Sequence, residues 1–295
     1  MKISCVILNY NDADTALKLA FRICGYKTLS DVILVDNGST DGSFEKLEAA
    51  VNGQEQKKFH GIQAFKNGGY GAGNNLGVRY AVEHCGATHV VIANPDVDFS
   101  EDCLKKMMRV FENHLDVAAA AATMEDARFG RQRNGWPLRG FAGELLAMGP
   151  VSHRLFRRFL EYPESRFEGK QAAFVDALHG SMLMIDAEKF QEQGGYDEGL
   201  FLYQEEAVLG RRLKTGGYRS VLLLNCSYRH EHSASIGKTF QGQMDRQRLR
   251  EKSVLYYMRK YLFINPFQVA LAKLWFWGIR MEIRAAMMLE NWIKK

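Results

Sequence analysis

The chain has 295 residues, of which 46% are hydrophobic and 25% charged. That suits one large α/β domain with additions, or two small domains, and is too apolar for a disordered chain. The net charge of +5 sits in the tail: from Glu251 to Lys295 there are eight Lys/Arg and three Asp/Glu, and the rest is neutral. A nucleic-acid binder carries its basic surface on the folded body, so this distribution argues against that class and points the tail toward anionic lipid or an acidic partner.

Five scattered cysteines show neither CxxC nor His-Cys spacing and read as thiols in a reducing, cytoplasmic compartment. No apolar run reaches the ~18 residues of a spanning helix. The opening MKISCVILNY turns polar too soon for a signal peptide and reads as a first strand.

Taken in chain order, strands are expected at Ser4–Leu8, Val32–Val35, Gly61–Phe65 and His89–Ala93. Helices are expected at Asp14–Gly25, Gly42–Val51, Gly73–His84 and Ser100–Asn113. Short apolar runs alternating with amphipathic segments predict an α/β fold with a doubly wound, mainly parallel sheet and helices on both faces. The Arg-, Gly- and Pro-rich stretch Met124–Lys170 breaks the rhythm; it reads as an excursion mobile without ligand, with a helix near Gly143–Phe159. Strand character returns over Ala172–Ile185. Tyr203–Thr215 reads as a helix stopped by Gly216-Gly217, Ser220–Leu224 as a strand, and the chain from Asp245 onward as helical. The expected division is a catalytic domain over 1–240 and a helical extension over 241–295.

Five strings sit where strands end, the position at which open α/β sheets bind ligands. VDNGSTDGS (35–43) offers Asp36 as an acceptor for a base edge or ribose, a tight turn at Gly38, and Ser39 or Asp41 to cap the next helix. NGGYGAGNNLG (67–77) offers close backbone approach and amides at a helix start, but lacks both the dinucleotide spacing and the P-loop lysine. ANPDVDF (93–99) holds Asp96 and Asp98, carboxylates suited to Mg²⁺ or Mn²⁺, with helix capping as the alternative for Asp98. Glu205 and Glu206 are adjacent acids, either a pair in which one raises the other's pKa or a solvated helix start. YRHEHSAS (228–235) alternates His230 with His232, so that one can face a metal or phosphate.

In this order the strings resemble the family 2 glycosyltransferases of GT-A fold, and in particular the bacterial rhamnosyltransferase-like branch of surface polysaccharide synthesis. The resemblance runs from SCVILNYN through VDNGSTDGS, KNGGYGAGNN, NPDV, GSMLMI and GGYDEGLFLYQEE to the His-Ser segment, roughly Ile3–Ser235. It implies an inverting transfer from a nucleotide-sugar donor, dTDP-rhamnose or a UDP-sugar, to a glycan or lipid-linked acceptor. It also implies roles. Asp36 holds the base, with Leu8, Asn9 and Tyr10 as pocket wall and Asn37, Gly38 and Ser39 beside it. Asn67, Gly71 and Asn74 lie under the nucleotide sugar. Asn94 and Asp96 belong to the nucleotide-sugar site, and Asp96 with His230 holds Mg²⁺ or Mn²⁺. Glu206 is the catalytic base, oriented by Glu205. Three positions depart from the branch: Asn94 replaces a carboxylate, Glu206 an Asp, and Val208 a further acid. Two other classes stay open, a sugar nucleotidyltransferase and a non-catalytic nucleotide-sugar scaffold; CVILNYNDAD lacks the Gly-rich, Arg- and Lys-bearing activation loop of the former.

In the tail, Lys273, Arg280 and Arg284 fall within about 40° on a helical wheel, among Phe267, Leu271, Leu274, Trp275, Phe276, Trp277, Ile279 and Trp292. Two readings follow: a helix at the membrane interface on the cytoplasmic face, weakened by Glu282 opposite the stripe, or a helix packed on the catalytic domain or in a homodimer.

Overall fold

Short β-branched runs build the sheet. Strands β1 (Ile3–Asn9), β2 (Asp31–Asp36), β3 (Phe59–Gln63) and β4 (His89–Ala93) alternate with helices α1 (Ala13–Ile23), α2 (Ser43–Asn52) and α3 (Tyr70–Glu83). A computed structural model describes residues 1–53, 58–126, 130–231 and 242–293, with 289–293 as backbone. His232, the serines after it and the side chain of Trp292 therefore lie outside the described residues.

There follow β5 (Val97–Asp98), α4 (Glu101–Asn113), β6 (Val117–Asp126), β7 (Gly130–Gln132), β8 (Gly135–Trp136), α5 (Phe141–Met148) and α6 (Pro150–Leu160). The second half holds β9 (Ala172–Val175), β10 (Ala177–Leu178), β11 (Met182–Asp186), α7 (Ala187–Glu192), α8 (Glu205–Thr215), β12 (Arg219–His230), α9 (Gln243–Tyr261) and α10 (Pro266–Ile293).

The main sheet runs β3-β2-β1-β4-β11-β6-β12-β5. Parallel pairing joins β3, β2, β1 and β4, and again β6 and β12. Between β4 and β6 lies β11, antiparallel to both, so the six long strands on either side of it share one direction. This is the doubly wound, mostly parallel arrangement expected. Alternate residues feed two cores: Cys5 and Ile7 face one, Val6 the other.

Three differences from expectation have physical causes. The strand β6 is unforeseen because its five consecutive alanines favour helix in isolation; between β11 and β12, buried on both faces, tertiary packing decides instead. The helix near Gly143–Phe159 is two helices, broken at Gly149-Pro150, where proline can begin a helix but not continue one. In the Gly-rich string, Gly71, Gly73 and Gly77 serve packing. A Cβ on Gly71 would lie 2.9 Å from Tyr196 Cβ, and one on Gly77 2.4 Å from Val6 Cγ1. The glycines let α3 close onto β1, β2 and the loop at Tyr196.

Gly77→Ala is therefore expected to overpack the α3–β1 contact and cost about 1–3 kcal/mol, read as a lower denaturation midpoint with unchanged slope. The solvent-side Gly86→Ala, where a Cβ meets nothing within 4 Å but φ is +64°, serves as the backbone-strain control.

Candidate active site

Six strands pointing one way bring their carboxyl ends to a single edge, and there a cleft of about 450 Å³ opens. Among the residues singled out in the sequence, Leu8, Tyr10, Asn37, Asn67, Asn94, Asp96, Glu205, Glu206 and His230 line it. Asn9, Asp36, Gly38, Ser39, Gly71 and Asn74 do not. Asn9, Asp36, Gly71 and Asn74 are buried behind the wall, and Gly38 and Ser39 are half-buried beside it.

Asp36 is fully buried. Its Oδ1 accepts from Asn9 Nδ2 (2.9 Å) and its Oδ2 from the Ser39 amide (2.9 Å). Ser39 Oγ in turn accepts from the Asn11 amide (2.9 Å), and Asn9 Oδ1 from the Asp12 amide (3.1 Å). Asp36 thus clamps the loop after β1 to the loop after β2, and Tyr10 and Asp12 reach the cleft from that clamp. Ser39 is used up here and does not cap α2. That helix starts at Gly42 without a side-chain cap, and Asp41 Oδ1 accepts from the Ser43 amide (3.0 Å). Asn74, buried at the start of α3, donates from Nδ2 to Tyr70 O (3.0 Å). Asn37 Nδ2 donates to Asn67 Oδ1 (3.0 Å) and Gly69 O (3.1 Å). Gly69 has φ +91°, and a Cβ on it would stand 2.2 Å from Phe201 O, so no other residue fits this close crossing.

Asp96 and His230 meet at one end of the cleft, with His230 Nε2 3.2 Å from Asp96 Oδ1 and both side chains nearly buried. The ring of His179 lies 5.9 Å from that of His230. Asp98 turns away and pairs with Arg22 (2.8 Å), while Ser100 caps α4 by accepting from the Cys103 amide. A carboxylate beside an imidazole is a donor pair that fits a divalent cation.

Among the described residues a tight group of three candidate metal donors occurs elsewhere. The ligand atoms of Asp31, His60 and Cys85 lie within 4.8 Å of one another. That group sits at the opposite end of β2 from Asp36, roughly 17 Å away at about 3.3 Å per residue, and has no bearing on an ion in the cleft.

His179, Gly180 and Ser181 are the main residues that sequence reasoning missed. They precede β11, and because β11 runs against its neighbours its beginning lies at the cleft edge, Met182 opposite Ala93. The signal was present in HGS interrupting a strand-like run. Ser181 Oγ and Tyr228 OH share a 2.6 Å hydrogen bond, and His179 Nδ1 lies 2.9 Å from Ser181 Oγ. Tyr70, Phe201 and Tyr203 complete the apolar wall.

The two glutamates enter through a strained turn. Tyr203 and Gln204 both have φ +73°, left-handed backbone costing on the order of 1–3 kcal/mol per residue. Neighbours hold it in place: Ser253 Oγ donates to Leu202 O (2.6 Å), Gln204 Nε2 to Glu144 Oε2 (3.2 Å), and the Tyr70 amide to Phe201 O (3.0 Å). Successive helical side chains diverge by about 100°. Glu205 turns inward and is 4% exposed, its Oε1 without a hydrogen-bond partner. Glu206 is half-buried, and its Oε1 accepts from the Gly180 amide (3.3 Å). Burial, and then the charge of Glu206, push the Glu205 carboxyl well above the usual carboxylate range. Val208, where the branch has a further acid, is fully buried with Leu200, Ala207 and Tyr257, surroundings that would leave a carboxylate unpaired.

Asp197, in the loop before this turn, ties it to α9. Although burial opposes its charge, hydrogen bonds from Lys260 Nζ (2.8 Å) and Tyr261 OH (2.6 Å) hold its pKa down at about 2.

An open α/β sheet of this winding, with a cleft at its carboxyl edge, is the GT-A architecture. The chain belongs to Glycosyl transferase family 2, whose profile its residues 4–184 match, as the five strings implied. It is 24% identical over 205 residues to the low-salt glycan biosynthesis hexosyltransferase Agl10 of Haloferax volcanii, a match covering 69% of this chain and 59% of that protein. It is 27% identical over 221 residues to the N-acetylglucosaminyl-diphospho-decaprenol L-rhamnosyltransferase of Mycobacterium tuberculosis, covering 70% of this chain and 68% of that one. The mannosyltransferase PcManGT from Pyrobaculum calidifontis, solved with GDP-Man and Mn²⁺, superposes with a TM-score of 0.60 at 14% identity over 98% of this chain and 75% of its own.

The raised Glu205 carboxyl has a defined pH signature. A group that holds its proton more tightly when folded stabilises the fold below its unfolded value, near 4.5, and loses that contribution as pH rises through the higher folded value. Glu205→Gln is expected to leave the melting temperature nearly unchanged at about pH 5 and to raise it relative to the parent at about pH 8.5, measured by calorimetry across pH.

Proposed function

We propose that the chain is an inverting glycosyltransferase that moves rhamnose or a hexose from a nucleotide-diphosphate donor to a hydroxyl of a lipid-linked or glycan acceptor. The observation that supports this reading is one cleft lined by Asp96, His230 and Glu206 together. The activities for which the relatives are named, a hexosyltransferase and a rhamnosyltransferase with a decaprenol-linked acceptor, support the substrate class.

In this reading Leu8 and Tyr10 flank the nucleoside, and Asn37 and Asn67 carry the sugar-phosphate polar contacts. Asp36 acts through Asn9 and Ser39 rather than on the base directly. Asp96 and His230, with His179 beside them, would hold Mn²⁺ or Mg²⁺, which when bound neutralises the diphosphate leaving group. Glu206 takes the proton of the acceptor hydroxyl. The oxygen forms its bond to the anomeric carbon as the bond from that carbon to the diphosphate oxygen breaks on the opposite face, so configuration inverts. Glu205, buried and holding its proton, leaves that transfer to Glu206. Residues 1–240 form the catalytic part, and 241–295 an extension that braces the acceptor side through Asp197. No helix among the described residues is long and apolar enough to cross a membrane.

Glu206→Gln is expected to retain nucleotide-sugar binding by calorimetric titration while kcat falls by about 10²–10⁴; near-parental turnover would remove Glu206 from the role. Asp96→Ala is expected to abolish the Mn²⁺-dependent gain in nucleotide affinity while the metal-free affinity stays. An equal gain with Mn²⁺ in both proteins would place the ion elsewhere.

A further inference from the structure

Helix α10 has two apolar faces. At about 100° per residue, Ala272, Phe276, Ile279 and Ile283 fall within about 60° of one another and pack in the cluster formed with α5 and α9. Phe267, Leu274, Trp277, Met281 and Met288 gather around the opposite direction, about 170° away. These are exposed, Phe267 at 77% and Met288 at 72%. Lys273 and Arg284, both exposed, border this second face.

Helix α6 repeats the pattern. Val151, Leu155 and Phe159 form one stripe, with Leu155 72% and Phe159 82% exposed, and Arg154 and Arg158 run along its edge. The two helices are joined: the Val151 amide donates to Glu282 Oε1 (3.0 Å), and Gly149 packs beside Ile279. Trp275 Nε1 donates to Leu145 O (2.8 Å), linking α10 to the helix whose Glu144 holds Gln204.

We propose that α6 and α10 together form a docking face for an anionic lipid bilayer, with the apolar stripes among the acyl chains and Arg154, Arg158, Lys273 and Arg284 at the headgroups. Large exposed aromatic and aliphatic groups edged by cations are the chemistry of an interfacial helix. Charge selects the lipid over a second copy of the chain. Helix α6 contains no acidic residue, and α10 contains only Glu282 and Glu290, the first already engaged with Val151. A two-fold contact through this face would set like charges against each other. The proposal extends the tail stripe to a second helix that the sequence did not associate with it, and it deepens the lipid-linked-acceptor reading, on which its biological purpose, but not its geometry, rests.

The test is flotation of the full chain with phosphatidylcholine vesicles, with and without phosphatidylglycerol. The variants are Phe159→Ser/Trp277→Ser and Arg154→Glu/Arg158→Glu/Lys273→Glu/Arg284→Glu, each checked for an unchanged melting temperature and nucleotide affinity. The parent is expected to float with the anionic vesicles and less so at high salt. Both variants are expected to partition at least roughly tenfold more weakly. A parent that stays unbound, variants that float like the parent, or a concentration-dependent dimer abolished by the same substitutions would each overturn the proposal. Flotation intact in a chain that transfers no sugar would sink the enzymatic reading alone.

Discussion

One rung of the sheet governs the geometry of the cleft. The Asn94 amide donates to Ser181 O at 2.8 Å, continuing the antiparallel β4–β11 ladder one step beyond both strands. That bond sets the His179–Ser181 turn against the NPD turn that carries Asp96. Gly180 is then placed so that its carbonyl accepts from Tyr70 OH (2.6 Å) and its amide donates to Glu206. Four segments far apart in the chain are thus registered to one another by a reversed strand among parallel neighbours. With β11 parallel instead, the same residues would lie at the other end of the sheet.

Much of this was legible in the chain. The first four strands and helices follow from apolar periodicity, and residues that line the cleft come from strings immediately after strands, Asn37 and Asp96 among them. The unread parts share a cause. Val117–Asp126 is a strand because of what surrounds it, and its alanines carry no local strand preference. His179 reaches the site because of strand direction, which composition does not encode. Asp36 stands at a strand end as anticipated, yet its oxygens are turned inward by Asn9 and Ser39, a detail set by two loops meeting. The glycines after Asn67 divide likewise. Gly69 answers to a backbone crossing at Phe201, whereas Gly73 and Gly77 answer to side chains of β1 that are invisible in the string itself.

Electrostatics at the two carboxylates follows from helix geometry and burial. Adjacent positions on α8 differ in burial, so Glu205 lies almost wholly inside, where burial raises its pKa, while Glu206 stays half-buried at the cleft. The substitution of Glu for the branch's usual Asp is compatible with a cleft in which Gly180, lacking a side chain, leaves room beside Tyr70 for the longer acid. The apolar shell around Val208 shows why no third charge accompanies them.

The left-handed pair Tyr203–Gln204 is restrained from outside the sheet, by Ser253 on α9 and Glu144 on α5. The direction of Glu206 therefore depends on helices that contribute no residue to the cleft lining. Such an arrangement separates two structural freedoms: the β4–β11 edge of the cleft is fixed by the sheet ladder, while changes in the outer helices can shift the turn that leads into α8.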